Sequence, residues 1–552
     1  MKLNFEYVDT MSKYRRTKIG AILLVSMFTL WLLSIAAIHI SNYSADSLFY
    51  ARKMPSYYWI GSLISVFILI SIFSNSLHDV KIRKPLELAF IVLLILYLFG
   101  TPSFIYTNAR LWDVHAFSLY VEEIINTNHI SGDKLMYRGI FAGGTISFSI
   151  LSIITDLKFI LLAKYYTIYF FIIMSLSIYA FANKLLNDYC VFAPIAFISS
   201  SWLSINHMTP QPYAYLLSTF LIPLLISILL NDTKHALSDR LLFLLFWFAI
   251  VIVHALTPIL LIIPIVLILL LYNMEGFCNS RFISKSIYTI IAIFIVTYMS
   301  YIIFTSDFVM LKIIGTIHAI QDNLINGDMF VVTDRNIEES MSPSYSYKIG
   351  YWVRMLEIAF TVVLGLASTI FIYKNEFYNK KTSEILIALF LIYLLFSISF
   401  IGLGYNEYGY NRTYLFMLIP YSILVAWALD IKLTSSSSYL RLFRHLIVLF
   451  IMCSILLMPV ARYASDPYGF IAESRLSSRA FISEHPELSN PFIFEMSDYN
   501  LFELKMQKGE AYLNQFNQSN FNSIYNAGQH KIYTYDDNNR FPSNVLQIKH
   551  KI

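Results

Sequence analysis

The sequence is poor in charge and in cysteine. Only 14% of its 552 residues are Asp, Glu, Lys or Arg, against 57% that are hydrophobic, and a soluble chain of this size has no interior large enough to hide so much apolar surface. The bilayer is therefore expected to be part of its solvent. The three cysteines, Cys190, Cys278 and Cys453, stand in or beside apolar runs, and the polar tail after residue 462 has none. This spacing argues against a disulfide framework or a thiolate metal site. No P-loop and no Gly-rich dinucleotide fingerprint occurs, so ATP and NAD have no evident point of entry. The net charge of +5 is scattered in short clusters between apolar runs, too thin for a nucleic-acid surface. The first apolar run lacks a small-residue cleavage site and reads as a retained span.

What is present is a long series of apolar runs of spanning length, roughly 17 to 25 residues each. They fall near 19–40, 57–75, 86–104, 158–182, 189–206, 212–230, 240–256, 258–273, 286–304, 350–373, 383–401, 412–430 and 445–461, about thirteen in all. A shorter run at 139–155 contains Gly139, Gly143 and Gly144 and reads as a re-entrant or interfacial helix. With the N-terminus in the cytoplasm, beside Lys13, Arg15, Arg16 and Lys18, the alternate loops are the basic ones: Lys81, Arg83 and Lys84; Lys184; Lys234 and Arg240; Arg281 and Lys285; Lys374, Lys380 and Lys381; Arg441 and Arg444. The rule holds only if the 139–155 run enters and leaves on one face. The expected architecture is an all-α polytopic membrane domain over 1–461 in the cell membrane, followed by a small extracytoplasmic α/β module over 462–552. In that tail, alternation in Phe492-Ile-Phe-Glu-Met and Lys531-Ile-Tyr-Thr-Tyr predicts strands.

This topology sends the unusual polar residues outward. The outer segments are the 101–138 loop, the Met208 to Pro212 turn, the His254 to Pro258 turn, the 305–349 loop and the Tyr405 to Arg412 turn. In the first loop, Leu111, Val114, Val121 and Ile124 recur at helical spacing and predict a short interfacial helix headed by Asp113 as its N-cap. The same Asp113 is also a carboxylate at the membrane surface, able to take a proton from a hydroxyl. His115 is a second candidate there, and Glu122 and Glu123 read as solvated. Arg412 stands where a span begins, and a cation at that depth asks for a partner. Glu407, five residues earlier, is either that partner or part of a ligand site. His207, Gln211 and His254 lie at outer span ends, as interfacial residues or as ligand contacts. Arg138 and Arg335 are further cations able to meet a phosphate.

Trp112-Asp113 with the aromatic and aliphatic helix after it, Asn128-His-Ile-Ser-Gly132, and Tyr137-Arg138-Gly139-Ile-Phe-Ala-Gly143 together resemble the outer loop of GT-C-fold glycosyltransferases. Met208-Thr-Pro-Gln211-Pro-Tyr213, His254-Ala-Leu-Thr-Pro258 and Glu407-Tyr-Gly-Tyr-Asn-Arg412 are similar to motifs of a prokaryotic branch of that superfamily. The resemblance implies a donor sugar on a polyprenyl phosphate and a glycan, lipid or protein acceptor. It implies inverting transfer on the outer face with Asp113 as base, and substrate contacts from His115, Arg138, His207, Gln211, His254, Arg335, Glu407 and Arg412. The acidic pair of many members is Asp113-Val114 here. No cofactor is implied, and a divalent metal stays an alternative that a lone carboxylate serves poorly. A polysaccharide polymerase or ligase would instead depend on the 305–349 loop. A lipid-linked glycan transporter would need ionisable residues in mid-span, from which most of the runs are free.

Overall fold

A computed structural model of the chain describes residues 2–38, 49–74, 80–130, 141–203, 207–229, 236–273, 285–305, 345–375, 380–402, 407–431 and 438–463, isolated residues between 314 and 325, and three strands in the tail. In chain order the helices are α1 (Lys2–Ala37), α2 (Phe49–Lys53), α3 (Ser56–Phe73), α4 (Val80–Ile95), α5 (Thr101–Ile105), α6 (Trp112–Thr127), α7 (Ala142–Thr155) and α8 (Phe159–Leu185). They continue with α9 (Phe192–Ser200), α10 (Pro210–Leu229), α11 (Ala236–Val253), α12 (Leu256–Asn273), α13 (Lys285–Thr305), α14 (Tyr345–Asn375), α15 (Lys380–Gly402), α16 (Glu407–Asp430) and α17 (Ser438–Tyr463). Among the described residues nine helices are long and apolar enough to cross a membrane. That is fewer than the thirteen expected. The four expected runs not among the nine are 240–256 in α11, 258–273 and 286–304, where the apolar parts of α12 and α13 are shorter, and 189–206, which is not a spanning helix at all.

That run becomes α9, nine residues buried on every side, followed by non-helical Ser201–Leu203. Nine residues rise only about 14 Å, less than half of a bilayer core. The segment nevertheless reaches from one end of the bundle to the other, because it is anchored at both. At one end the Asp430 carboxylate, closing α16, accepts the backbone N–H of Asn187 (2.9 Å), Asp188 (2.8 Å) and Tyr189 (3.2 Å). At the other, Arg462 of α17 donates to the carbonyls of Ser201 (3.4 Å) and Leu203 (2.8 Å). Irregular backbone at membrane depth survives only where protein satisfies it, and here α8, α16 and α17 enclose it. The Asp430 end is called the far end below, and the Arg462 end the near end.

A second irregularity joins α4 to α5. Residues Leu96–Gly100 form a π-helical turn, which frees carbonyls that the α-helix would have used. Tyrosine hydroxyls take them: Tyr58 donates to Tyr97 O (3.0 Å) and Tyr463 to Leu98 O (2.8 Å). Trp31 Nε1 donates to Thr101 Oγ1 (3.1 Å), so α1 and α3 fix the same turn from the other side.

The 139–155 run yields α7, fourteen residues and about 21 Å long, too short to cross a bilayer core. Both its ends lie at the near end of the bundle. Gly143 lies against Ile252 at the close of α11, Gly144 against Pro210 at the start of α10, and Phe159 opens α8 four residues after the helix stops. A Cβ on Gly143 would stand 2.8 Å from the Ile252 backbone oxygen, a contact no side-chain rotation relieves. Gly143→Val is therefore expected to push α7 off α11. In a thermal unfolding series in detergent it should cost about 1–3 kcal/mol by overpacking, whereas Ser147→Val on the same helix should cost less.

In the tail, β1 (Ile493–Ser497), β2 (Phe521–Ala527) and β3 (His530–Tyr535) pair antiparallel in the order β1-β3-β2. The remainder of the α/β module expected over 462–552 lies outside the described residues.

Candidate functional site

The near end gathers the polar residues. Helix α6 begins at Trp112, and its N-cap position is Leu111, held at φ 70 and ψ 129, with no side-chain cap. Asp113 is therefore not the cap that the sequence suggested; it is the second helical residue, with its side chain 74% exposed. A non-glycine residue with positive φ costs about 1–3 kcal/mol and persists only where its surroundings impose it. Here it turns α6 so that Val114 and Val121 are buried while Asp113, Glu122 and Glu123 face outward.

The residue Asp113 meets is His207. Its Nε2 stands 3.8 Å from Asp113 Oδ2, and its ring is half-buried. Two residues singled out from distant parts of the sequence thus come together, His207 arriving from the stretch before α10. Beside them lies a pocket of about 30 Å³ lined by Phe99, Asn108, Arg110, Lys164 and His207, among others. It has room for little more than a water molecule. Arg110 stands over the Tyr463 ring at 4.9 Å, and Lys164 of α8 donates to Thr107 O at 3.2 Å. Neither cation was singled out from the sequence, where Lys164 falls within the 158–182 apolar run. The signal was available, because a lysine six residues inside a spanning helix is expensive unless it has work to do.

Deeper in, two arginines hold backbone. Arg462 packs over Phe99 (4.8 Å) and Phe171 (5.9 Å) while donating to residues 201 and 203. Arg354 of α14 donates to Ala461 O at 2.9 Å and lies over Trp202 at 5.9 Å. Glu357, three residues along the same helix, is completely buried, with the Ser454 hydroxyl of α17 beside its carboxyl group. Glu87 of α4 is buried too and pairs with Arg83 at 2.7 Å. The spans are therefore less free of ionisable residues than the apolar runs suggested.

The other expected contacts divide. His115 spends Nε2 on Ala109 O (3.0 Å), tying α6 to the preceding loop. Gln211 is the second residue of α10 and half-buried. His254 is buried in the turn between α11 and α12, where Nδ1 meets Thr257 Oγ1 (2.9 Å) and accepts the Thr257 N–H (3.3 Å), so the ring caps α12. Arg412, half-buried in α16, is close enough to act on it: burial first, and then the guanidinium, hold the His254 imidazole well below its ordinary range. Glu407 opens α16, and its side chain lies outside the described residues, as do Arg138 and Arg335.

A histidine depressed in the folded state stays neutral there and takes its proton on unfolding. Its contribution to stability is full above the unfolded value near 6.5 and declines as pH falls toward the folded one. The thermal midpoint is accordingly expected to drop as pH is lowered below about 6.5. His254→Gln should flatten that part of the profile while costing about 1 kcal/mol at neutral pH for the weakened cap.

Among the described residues no group of three or more His, Cys, Asp and Glu side chains gathers that could hold a metal ion. The charged side chains lining the pocket next to Asp113 and His207 are the cations Arg110 and Lys164, which repel a divalent ion, so no step is derived through one. Compared with known proteins, the chain matches no family model and no curated sequence. Its class rests on its own features: helices apolar enough to cross a membrane, with an exposed carboxylate, a histidine and two cations gathered at one end.

Proposed function

We propose that the chain is a membrane glycosyltransferase that moves a sugar from a polyprenyl-phosphate donor to a glycan, lipid or protein acceptor on the outer face of the membrane. The observation that carries this reading is the pairing of Asp113 with His207 beside Arg110 and Lys164. The acceptor hydroxyl loses its proton to Asp113 as its oxygen attacks the anomeric carbon. The bond from that carbon to the phosphate oxygen breaks, and the electron pair leaves on the phosphate. His207 orients the carboxylate and offers the proton a way onward. Arg110 and Lys164 are the cations placed to steady the departing phosphate, a role the sequence had given to Arg412. As it stands the pocket is too small for a sugar, so donor binding must open it. The test is transfer by the purified chain in liposomes, with a panel of labelled polyprenyl-phosphate sugars and acceptors of each kind. Consumption of a donor only when an acceptor is present supports the proposal.

A second reading is favoured by Glu357. A fully buried carboxyl one turn from a buried arginine is a feature of intramembrane proton or substrate paths. A transporter of lipid-linked glycans would lose translocation in Glu357→Gln, whereas a transferase would keep its transfer rate within a few-fold. Translocation without transfer by the parent protein would reject the transferase.

A further inference from the structure

Glu357 lies deep in α14, roughly 18 Å along the helix from Tyr345 and roughly 27 Å from Asn375, and none of its surface is exposed. Its surroundings are polar without being cationic. The Ser454 hydroxyl of α17 stands beside the carboxyl group, and Tyr414 and Tyr421 of α16 and Cys453 of α17 are near enough to feel a charge there. Arg354, one turn before it, aims its guanidinium at Ala461 O and the Trp202 ring instead. Helix α15 meets α14 two turns further on, where Phe390 covers Gly365. Among the described residues no cation acts on the carboxyl group. A carboxylate at this depth with one hydroxyl beside it is costly enough that the group takes up a proton instead. The hydroxyls near it also hold the chain. Tyr414 donates to Ser200 O (2.9 Å) and meets Thr361 Oγ1 (3.1 Å), and Ser200 Oγ donates to the Tyr421 hydroxyl (3.4 Å). Ser200 closes α9, so the two tyrosines fix the point where the irregular Ser201–Leu203 stretch begins, and Trp202 in that stretch packs on the Tyr414 ring at 5.9 Å.

We propose that Glu357 is a proton-binding site inside the membrane domain, and that its proton keeps Tyr414 and Tyr421 on Ser200. With the proton in place the acid is neutral, the Ser454 hydroxyl suffices for it, and the tyrosines serve the backbone and hydroxyl of Ser200. Once the proton is released to solvent, the carboxylate is the strongest acceptor within the cluster. Hydrogen bonds to an ionised acceptor are roughly twice as strong as those to a neutral carbonyl, so Tyr414 turns from Ser200 O toward Glu357. The stretch that carries Trp202 is thereby loosened at its α9 end, while Arg462 still holds Leu203. The ligand of this site is a proton, so its occupancy is measured without reference to either glycosyl transfer or translocation.

Infrared spectroscopy of the full chain in sodium-free liposomes tests this. Exposed carboxyl groups are ionised at neutral pH, and the buried Glu87 is paired with Arg83, so the parent is expected to show one carboxylic-acid C=O band there. Glu357→Gln should lose the band. Ser454→Ala should keep it at a higher frequency, because the acid has lost the hydroxyl beside it. Raising the pH should abolish the band in the parent. The fluorescence of Trp202, read as the difference between the parent and Trp202→Phe, should change with the same midpoint and stay constant in Glu357→Gln. Absence of the band in the parent at neutral pH, its persistence in Glu357→Gln, or a frequency unmoved by Ser454→Ala would each overturn the assignment. So would removal of the band by sodium at constant pH, which would make a metal ion the ligand, or a Trp202 signal indifferent to the loss of the band.

Discussion

Asp113→Asn is expected to reduce sugar transfer by two to four orders of magnitude, the range that a positioned general base supplies. The amide keeps the shape of the carboxylate and cannot take the proton. The fold gives no competing explanation for such a loss: the side chain is mostly exposed, caps no helix and supports no packing, so the variant should unfold at the parent temperature. His207→Gln removes only the partner that orients the carboxylate and should cost about ten- to a hundredfold, since a misplaced group can lose that much. The two losses should not add, because both act on one proton transfer. Undiminished transfer by Asp113→Asn would remove the base and move attention to the 305–349 loop and the polymerase reading.

The architecture was legible in the sequence where it follows from hydropathy, and not where it depends on partners far along the chain. Runs such as 57–75 and 158–182 became α3 and α8 nearly residue for residue, because a helix is the only way for an isolated apolar segment to satisfy its backbone in lipid. The 189–206 run carries the same hydropathy and broke that rule, since its carbonyls are met by Arg462, 259 residues beyond Leu203. No local pattern encodes such a bond. Asp113 was singled out for its place on an outer helix, but its role as N-cap failed because Leu111 takes the positive φ instead. His207 was singled out only as an end-of-span histidine; its meeting with Asp113 is a tertiary fact. Arg110 was overlooked because composition places a cation near an interface without saying which way it points, and Lys164 because the apolar run around it hid the cost of its charge.

Arg462 links the fold to the site and carries the largest expected loss of stability. Its Nη1 alone serves both Ser201 O and Leu203 O, in a setting with the guanidinium buried among Phe99, Phe171 and Tyr463. Arg462→Met fills much of the volume and offers no donor, leaving two buried carbonyls unsatisfied at about 1–3 kcal/mol each. A loss of about 3 kcal/mol in detergent unfolding is therefore expected. Arg462→Lys keeps a charged donor on a long stem and should recover part of it, which a purely steric role for the arginine would not predict. The consequence reaches the chemistry, because the chain that Arg462 holds at Leu203 delivers His207 four residues later. Released there, the histidine no longer has a fixed distance to Asp113. Arg462→Met should thus lower kcat about ten- to a hundredfold even at temperatures where it is folded, with Arg462→Lys in between. At the far end Asp430→Ala frees three N–H groups of the same segment, and should destabilise it to a similar extent with less effect on kcat. A full-rate, fully stable Arg462→Met protein would show that the segment holds its course without the arginine and that His207 is positioned by other contacts.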